Sequence, residues 1–143
     1  MSKPSNVLSF DHGTRYIGIA IGNPLIHSAQ PLTAITAHQG IPNWAELDDL
    51  VTEWAPASMV VGLPLTLQGG EQPASRRSRR FADQLIKRYH LDVHLVDERH
   101  SSQEAARDFA AQRALGLRRR HHADDIDAFA AAIILETWFS ETS

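Results

Sequence analysis

Three carboxylates stand at points where the chain changes character. Asp11 closes the apolar run of residues 7–10 within "LSFDHGTRYIGIAIG", Glu98 follows the short apolar run "VHLV", and Asp127 lies at the start of "ADDIDAFAAAIILETWF". Carboxylates brought together repel one another and resist ionising side by side, unless a divalent cation supplies compensating charge. The chain has no cysteine, so hard oxygen donors suited to Mg²⁺ or Mn²⁺ are the natural ligand set. Two such ions roughly 4 Å apart can activate a water on one side of a phosphodiester and stabilise the leaving oxygen on the other. Taken singly, an acid in such a position is more often a turn residue or a helix cap than a ligand. The chemistry therefore depends on whether the fold brings them together.

The elements that must position these acids read as a mixed sheet with helices on its faces. Residues 7–10 form a candidate buried strand. Ile17, Ile19 and Ile21 alternate with Gly18, Ala20 and Gly22, a period-2 strand whose small face lets another backbone or a ligand approach closely. A third extended segment covers residues 29–35, and Pro31 marks it as an edge or irregular strand. Trp44, Leu47, Val51 and Trp54 recur at helical spacing up to the Ala55-Pro56 break. "SMVVGLPL" is a strand running into a Gly-Pro loop, and residues 74–89 form a helix. That helix has Phe81, Ala82, Leu85, Ile86 and Tyr89 on one arc, with Arg76, Arg80 and Lys87 opposite and Arg77 and Arg88 flanking. After "VHLV", the capping-box spacing of Ser101 and Glu104 predicts a helix that ends at Gly116. Apolar residues surround the last helix from Ala128 to Leu135, so it should be largely buried. The order is βββ-α-β-α-β-α-α.

The 143 residues suit one domain spanning 1–143. Absence of cysteine fits a reducing cytoplasm, no apolar stretch approaches the ~20 residues of a membrane span, and "MSKPSNVLSF" lacks the apolar core of a secretory signal. A cytoplasmic protein with no membrane partner is the expectation. The net charge of −3 hides an asymmetry: residues 76–120 hold twelve of the fourteen Lys and Arg, a local balance of +6, while the remainder carries −9. Solvated helix faces would account for such a segment, and so would a phosphate-binding surface.

"FDHGTRYIGIAIG", "VVGLPLTLQGGEQPASRRSRRFADQL", "DERHSSQEAA" and "DIDAFAAAIILETWF" together resemble the YqgF/RuvX family. Its members are described as Holliday-junction resolvases and as nucleases of pre-16S ribosomal RNA. The resemblance implies an α/β, RNase H-like fold: a five-stranded mixed sheet, three antiparallel strands then two parallel, with the site at the strand ends. It also implies that Asp11, Glu98 and Asp127 are the catalytic metal ligands, in a two-ion Mg²⁺ or Mn²⁺ site. Asp97 and Arg99 belong to the same Asp-Glu-Arg motif. Arg99 is a candidate phosphate contact, with a structural salt bridge as the equal alternative.

The chain also departs from the family's pattern. Asp124, three residues before Asp127 on nearly the same helix face, is a candidate auxiliary ligand or a helix cap. His100 replaces the usual apolar residue after the motif, and "PLTLQGG" lacks an asparagine and an aspartate typical of that loop.

A nucleic acid partner needs cations near the acids. Arg15 follows Asp11 in the same turn, Arg76, Arg77 and Arg80 lie near the start of the 74–89 helix, and Arg118, Arg119 and Arg120 precede the final acidic helix start. Few aromatics lie among them, which favours structured RNA or branched DNA read through backbone and shape over a single-strand stacking platform. The expected activity is a metal-dependent endonuclease processing the 5′ end of pre-16S rRNA. The alternatives are a resolvase of four-way DNA junctions and a non-catalytic RNA-binding factor. Either a monomer or a homodimer is compatible with the sequence, although junction cleavage on both strands calls for the dimer.

Overall fold

The computed structural model describes residues 6–25, 28–99 and 123–142, without the side chains of 123–126. Its elements are β1 (Val7–His12), β2 (Tyr16–Asn23), β3 (Ser28–His38), β4 (Ile41–Pro42), α1 (Trp44–Trp54), β5 (Ser58–Leu63), α2 (Pro73–Tyr89), β6 (Asp92–Asp97) and α3 (Ala123–Thr142). The helix expected between Ser101 and Gly116 lies outside the described residues.

The sheet order is β4-β3-β2-β1-β5-β6. β1 to β4 pair antiparallel in succession, while β5 and β6 join parallel to β1 and to each other. The sheet therefore has six strands where five were expected. The extra one, β4, pairs only through Ala37–Pro42 and His38–Ile41, and two residues carry no readable periodicity. It folds back through Gln39 and Gly40, both at positive φ (52° and 85°), the backbone that a two-residue hairpin turn needs. Because β4 is so short, β3 is an uncovered edge at Pro31. The register there passes from Ile19–Thr33 to Ala20–Pro31, leaving Leu32 as a bulge, so the proline sits where a missing N–H costs no ladder bond.

Strand alternation sorts the core into two layers. Leu8, Phe10, Ile17, Ile19, Met59 and Val61 point to one face and pack with Leu47 of α1 and Phe81, Ala82 and Leu85 of α2. Val7, Val60 and Val96 point to the other and pack on Ile134, Leu135 and Phe139 of α3. Each such fully buried aliphatic contributes roughly 1.5–3 kcal/mol. The small face of β2 does what its spacing suggested: Ala20 packs on Ala131 and Ala132, so α3 lies close against the sheet. Ile86, which shares the apolar arc of α2, is 43% exposed, and the inward side of the helix is completed by the small buried Ser75 and Ser78.

Helix ends follow local chemistry. Asn43 Oδ1 accepts the Glu46 N–H at the start of α1, and Ala55, forced out of the helical region by Pro56, closes it in the left-handed region. Pro73 occupies the first turn of α2, where its missing N–H costs nothing. Arg88 of α2 donates to Asp48 of α1 (2.9 and 2.6 Å) and lies 4.7 Å over the Trp44 ring, tying the two helices together. No helix among the described residues is long and apolar enough to cross a membrane.

Candidate active site

Asp11 sits near the end of β1 on the α3 face, in line with Val7 and Ser9. Ser9 is fully buried, and its hydroxyl donates to the Ala131 carbonyl at 2.7 Å, holding α3 to the central strand. Directly across the ladder from Asp11 is Gly18. A side chain there would meet the Asp127 carbonyl oxygen at 2.0 Å, so the missing side chain is the seat of the first turns of α3. Glu98 leaves the end of β6, its N–H donating to the Leu63 carbonyl at 3.2 Å. Its carboxylate fills the space that a side chain at Gly62 would take, with Oε2 only 2.2 Å from such a Cβ. Two glycines thus admit the two acids that flank Asp11.

The electrostatics record this convergence. Burial pushes the Asp11 carboxyl up to about 8, and the charges of Glu98 and then Asp127 push the same way. Burial and the neighbouring Asp97 raise Glu98 to about 7. Near-neutral pH therefore finds a buried pair of carboxyls whose charged forms face further negative charge. Among the described residues no group of three or more His, Asp and Glu side chains is close enough to hold a metal ion by itself. Asp11, Glu98 and Asp127 are the acids the sequence nominates as ligands, and the charges of the latter two act on Asp11. Asp124 lies one turn earlier on α3 with its side chain outside the described set.

Beside Glu98 opens a cleft of about 380 Å³ whose walls include Pro64, Leu65, Leu67, Gln72 and Arg99. Its rim is braced. Thr66 and Gly70 exchange backbone and hydroxyl hydrogen bonds (3.0 and 2.8 Å), and Gly69 takes φ +86°, which glycine adopts freely. The Ser75 hydroxyl accepts from the Gln72 N–H and donates to the Pro64 carbonyl. Thr66 thus closes the turn despite the loop's departure from the family pattern.

The arginines divide into groups. Arg99 binds the Asp97 carboxylate through Nε at 2.8 Å and reaches the Leu67 carbonyl at 3.3 Å, so it clamps the loop to β6. This is the structural alternative to a phosphate contact. Arg77 and Arg80 line a hollow with His12, one residue from Asp11 in sequence but on the opposite face of the sheet. Arg15, Arg76 and Arg80 are exposed. Arg118, Arg119, Arg120 and His100 lie outside the described residues.

His12 went unread in the sequence. It stacks on Phe81 with ring centroids 4.8 Å apart, and its Nε2 is 2.8 Å from the Gly40 carbonyl. Burial lowers its pKa, with a smaller contribution in the same direction from Arg77. Strand alternation alone would have set it back to back with Asp11.

Comparison with known proteins places this arrangement. The fold is shared with Thermus thermophilus RuvC in complex with a Holliday junction substrate (TM-score 0.57, 15% identity, 95% of this chain and 94% of that one). The fowlpox virus Holliday junction resolvase is similar too (TM-score 0.56, 12% identity, 95% and 99%). These resolvases have the RNase H-like architecture expected from the sequence. Much closer in sequence is a protein of Xanthomonas campestris pv. campestris (strain 8004) named "Putative pre-16S rRNA nuclease", 49% identical over 136 residues, 95% of this chain and 88% of the relative. A protein of the same name from Xylella fastidiosa (strain M23) is 49% identical over 135 residues, 94% and 87%. The family model described as "RuvX: Holliday junction resolvase" matches residues 5–141, and with this match across nearly its whole length the chain belongs to the RuvX family.

Proposed function

We propose that the protein is a metal-dependent endonuclease that hydrolyses nucleic acid phosphodiesters, and that its substrate is the 5′ end of precursor 16S ribosomal RNA. The observation that carries the chemistry is the buried Asp11 carboxyl pressed by the charges of Glu98 and Asp127. Such a donor set fits a hard divalent cation, which restores the ionised form that burial disfavours. Mg²⁺ is commonly held by one or two carboxylates, with substrate phosphate and water completing its shell. Asp11, Glu98 and Asp127 would hold the ion or ions, with Asp124 as the candidate fourth acid. When bound, the metal supplies Lewis acidity toward water and the phosphodiester oxygens.

The chain's own residues do the rest. Gly18 and Gly62 fix where the acids stand, the Arg99–Asp97 clamp holds the cleft open beside Glu98, and Arg15, Arg76 and Arg80 offer positive charge to the backbone of the substrate. The Arg118–Arg120 run is proposed to add to that surface. RNA as the substrate is supported by the names of the 49% identical relatives, and work on precursor ribosomal RNA implies a cytoplasmic enzyme. Branched DNA is the second reading, supported by the description of the family model.

The test is purified protein with Mg²⁺ or Mn²⁺, offered precursor rRNA and a synthetic four-way junction, beside an Asp11→Asn variant shown to be folded. Cleavage of the RNA that vanishes in the variant is the expected result. Preferential cutting of the junction would transfer the assignment to DNA. Cleavage that persists in Asp11→Asn, or RNA binding with no cleavage under either metal, would overturn the nuclease reading.

A further inference from the structure

A second pocket, of about 420 Å³, opens where β1 turns into β2 beside the end of β3, and none of its lining residues takes part in the acid cluster. Its walls include Thr14, Arg15, Tyr16, Thr36, His38 and Gln39. The walls are preformed. Beyond the regular ladder, the Ala37 N–H donates to the Arg15 carbonyl at 2.8 Å and the Gly40 N–H to the Thr14 carbonyl at 3.0 Å. His12 fastens the same turn from below through the Gly40 carbonyl.

The chemistry of the lining is specific. Tyr16 is 37% exposed, so part of its ring is open to a ligand in the pocket. Arg15 supplies a guanidinium and His38 and Gln39 supply hydrogen-bonding groups, while the one carboxylate bonded to a wall residue among the described residues, that of Glu46, is engaged by the Thr36 hydroxyl at 3.0 Å. Gln39 holds φ +52° as the first residue of the two-residue turn between β3 and β4, which fixes its backbone beside the pocket. An aromatic face beside a guanidinium, with polar groups around them, is the arrangement that stacks a nucleobase and binds its phosphate.

The pocket also lies at the right place. On β2, Tyr16 and Gly18 share a face by alternation, and Gly18 is the residue opposite Asp11. Two residues of strand separate them, about 7 Å, against an advance of about 3.4 Å per nucleotide along a helical strand.

We propose that this pocket is a nucleotide subsite: it takes one unpaired nucleotide of the substrate, within a few nucleotides of the cut, with the base on Tyr16 and His38 and the phosphate on Arg15. The inference rests on the nuclease reading of the acid site and narrows its substrate class. A fully paired helix keeps its bases stacked and cannot fill the pocket, so the favoured substrate carries a bulged, looped or frayed nucleotide beside the scissile bond.

The test reads binding apart from cleavage. In the Asp11→Asn background, RNA hairpins carrying the fluorescent base 2-aminopurine in a single-nucleotide bulge or in a perfect duplex are titrated with protein. Tyr16→Ala, Tyr16→Phe and His38→Ala are compared, with folding checked by circular dichroism. The bulged probe is expected to bind at least five-fold more tightly than the duplex and to be quenched. Tyr16→Ala and His38→Ala should erase that preference, and Tyr16→Phe should keep it. Equal affinity for the two probes, or a preference untouched in both alanine variants, would overturn the subsite. Because binding is measured in a variant built to be inert, loss of the nuclease reading shows up separately, as cleavage that Asp11→Asn fails to abolish.

Discussion

Gly18 stands opposite Asp11 across the β1–β2 ladder, and the room its absent side chain leaves is filled by the backbone of Asp127. A residue without a side chain therefore sets the separation between two acids that lie 116 positions apart in the chain. The close approach also explains why β2 carries small residues on one face only: each added methyl would lift α3 away from the sheet and carry Asp127 with it.

Replacing Gly18 by alanine should accordingly be severe. The new Cβ would meet the Asp127 carbonyl oxygen at 2.0 Å and the Ala128 nitrogen at 2.8 Å, and both are helix backbone that cannot rotate aside. A loss of roughly 1–3 kcal/mol in unfolding free energy is expected from such overpacking. Nuclease activity should fall further than the folded fraction. Urea denaturation beside single-turnover cleavage of precursor rRNA checks it, and an active, fully stable Gly18→Ala protein would contradict the seating of α3.

Gly62 poses the same question with a different answer. An alanine there meets Glu98 Oε2 at 2.2 Å and Ile134 Cδ1 at 2.5 Å, both far ends of side chains that can swing. Stability should change by no more than about 1–2 kcal/mol, while the displaced carboxylate lowers kcat by at least ten-fold. Comparing kcat with the urea midpoint separates the two effects, since a purely structural glycine would lose both together.

Much of this was legible beforehand because the signals were local. The alternation of Ile17, Ile19 and Ile21 with small residues announced a close-packed face, and the acids marked element ends. Contacts between distant segments were not legible. That Gly62 makes room for Glu98 depends on β5 pairing with β6 in the Gly62–Val96 and Leu63–Asp97 register, which no local pattern encodes. Sequence proximity to the acids does not tell which face an arginine serves: Arg77 and Arg80 neighbour His12, which strand alternation puts on the opposite face from Asp11, so they can meet only the part of a substrate that passes the sheet edge. β4 has no readable period in two residues, and the Tyr16 pocket forms from the ends of β2 and β3 and the turns beside them, which no local pattern joins.

Arg99 and the α2 arginines should separate under salt. Arg99 is engaged with Asp97 and the Leu67 carbonyl, so Arg99→Ala is expected to loosen the cleft rim and raise KM without altering the salt dependence of RNA binding. Arg76 and Arg80 are exposed and free to meet phosphate, so alanine at either should lower the slope of log K against log salt by about 1. Filter binding across a salt series reads all three. A reduced slope in Arg99→Ala would restore it as a phosphate contact.

The raised Asp11 carboxyl gives a pH dependence whose sign can be worked out. Its folded pKa of about 8 lies above the ordinary 3.8, so between those values the folded chain binds a proton that the unfolded chain has released. Unfolding free energy then falls with rising pH across that window, because its slope follows protons bound in the unfolded minus the folded state. Glu98, raised to about 7, adds the same sign between its ordinary 4.5 and 7. The metal-free protein should therefore have a lower Tm at pH 8 than at pH 5, and Asp11→Asn should flatten the difference by raising Tm at pH 8. Added Mg²⁺ or Mn²⁺ binds only the ionised folded form, so it should raise the wild-type Tm most at pH 8 and barely move that of Asp11→Asn. Thermal scans at the two pH values, with and without the ion, check each part. A wild-type Tm that rises with pH without metal, or an equal metal response in the variant, would contradict the buried acid as the seat of the cation.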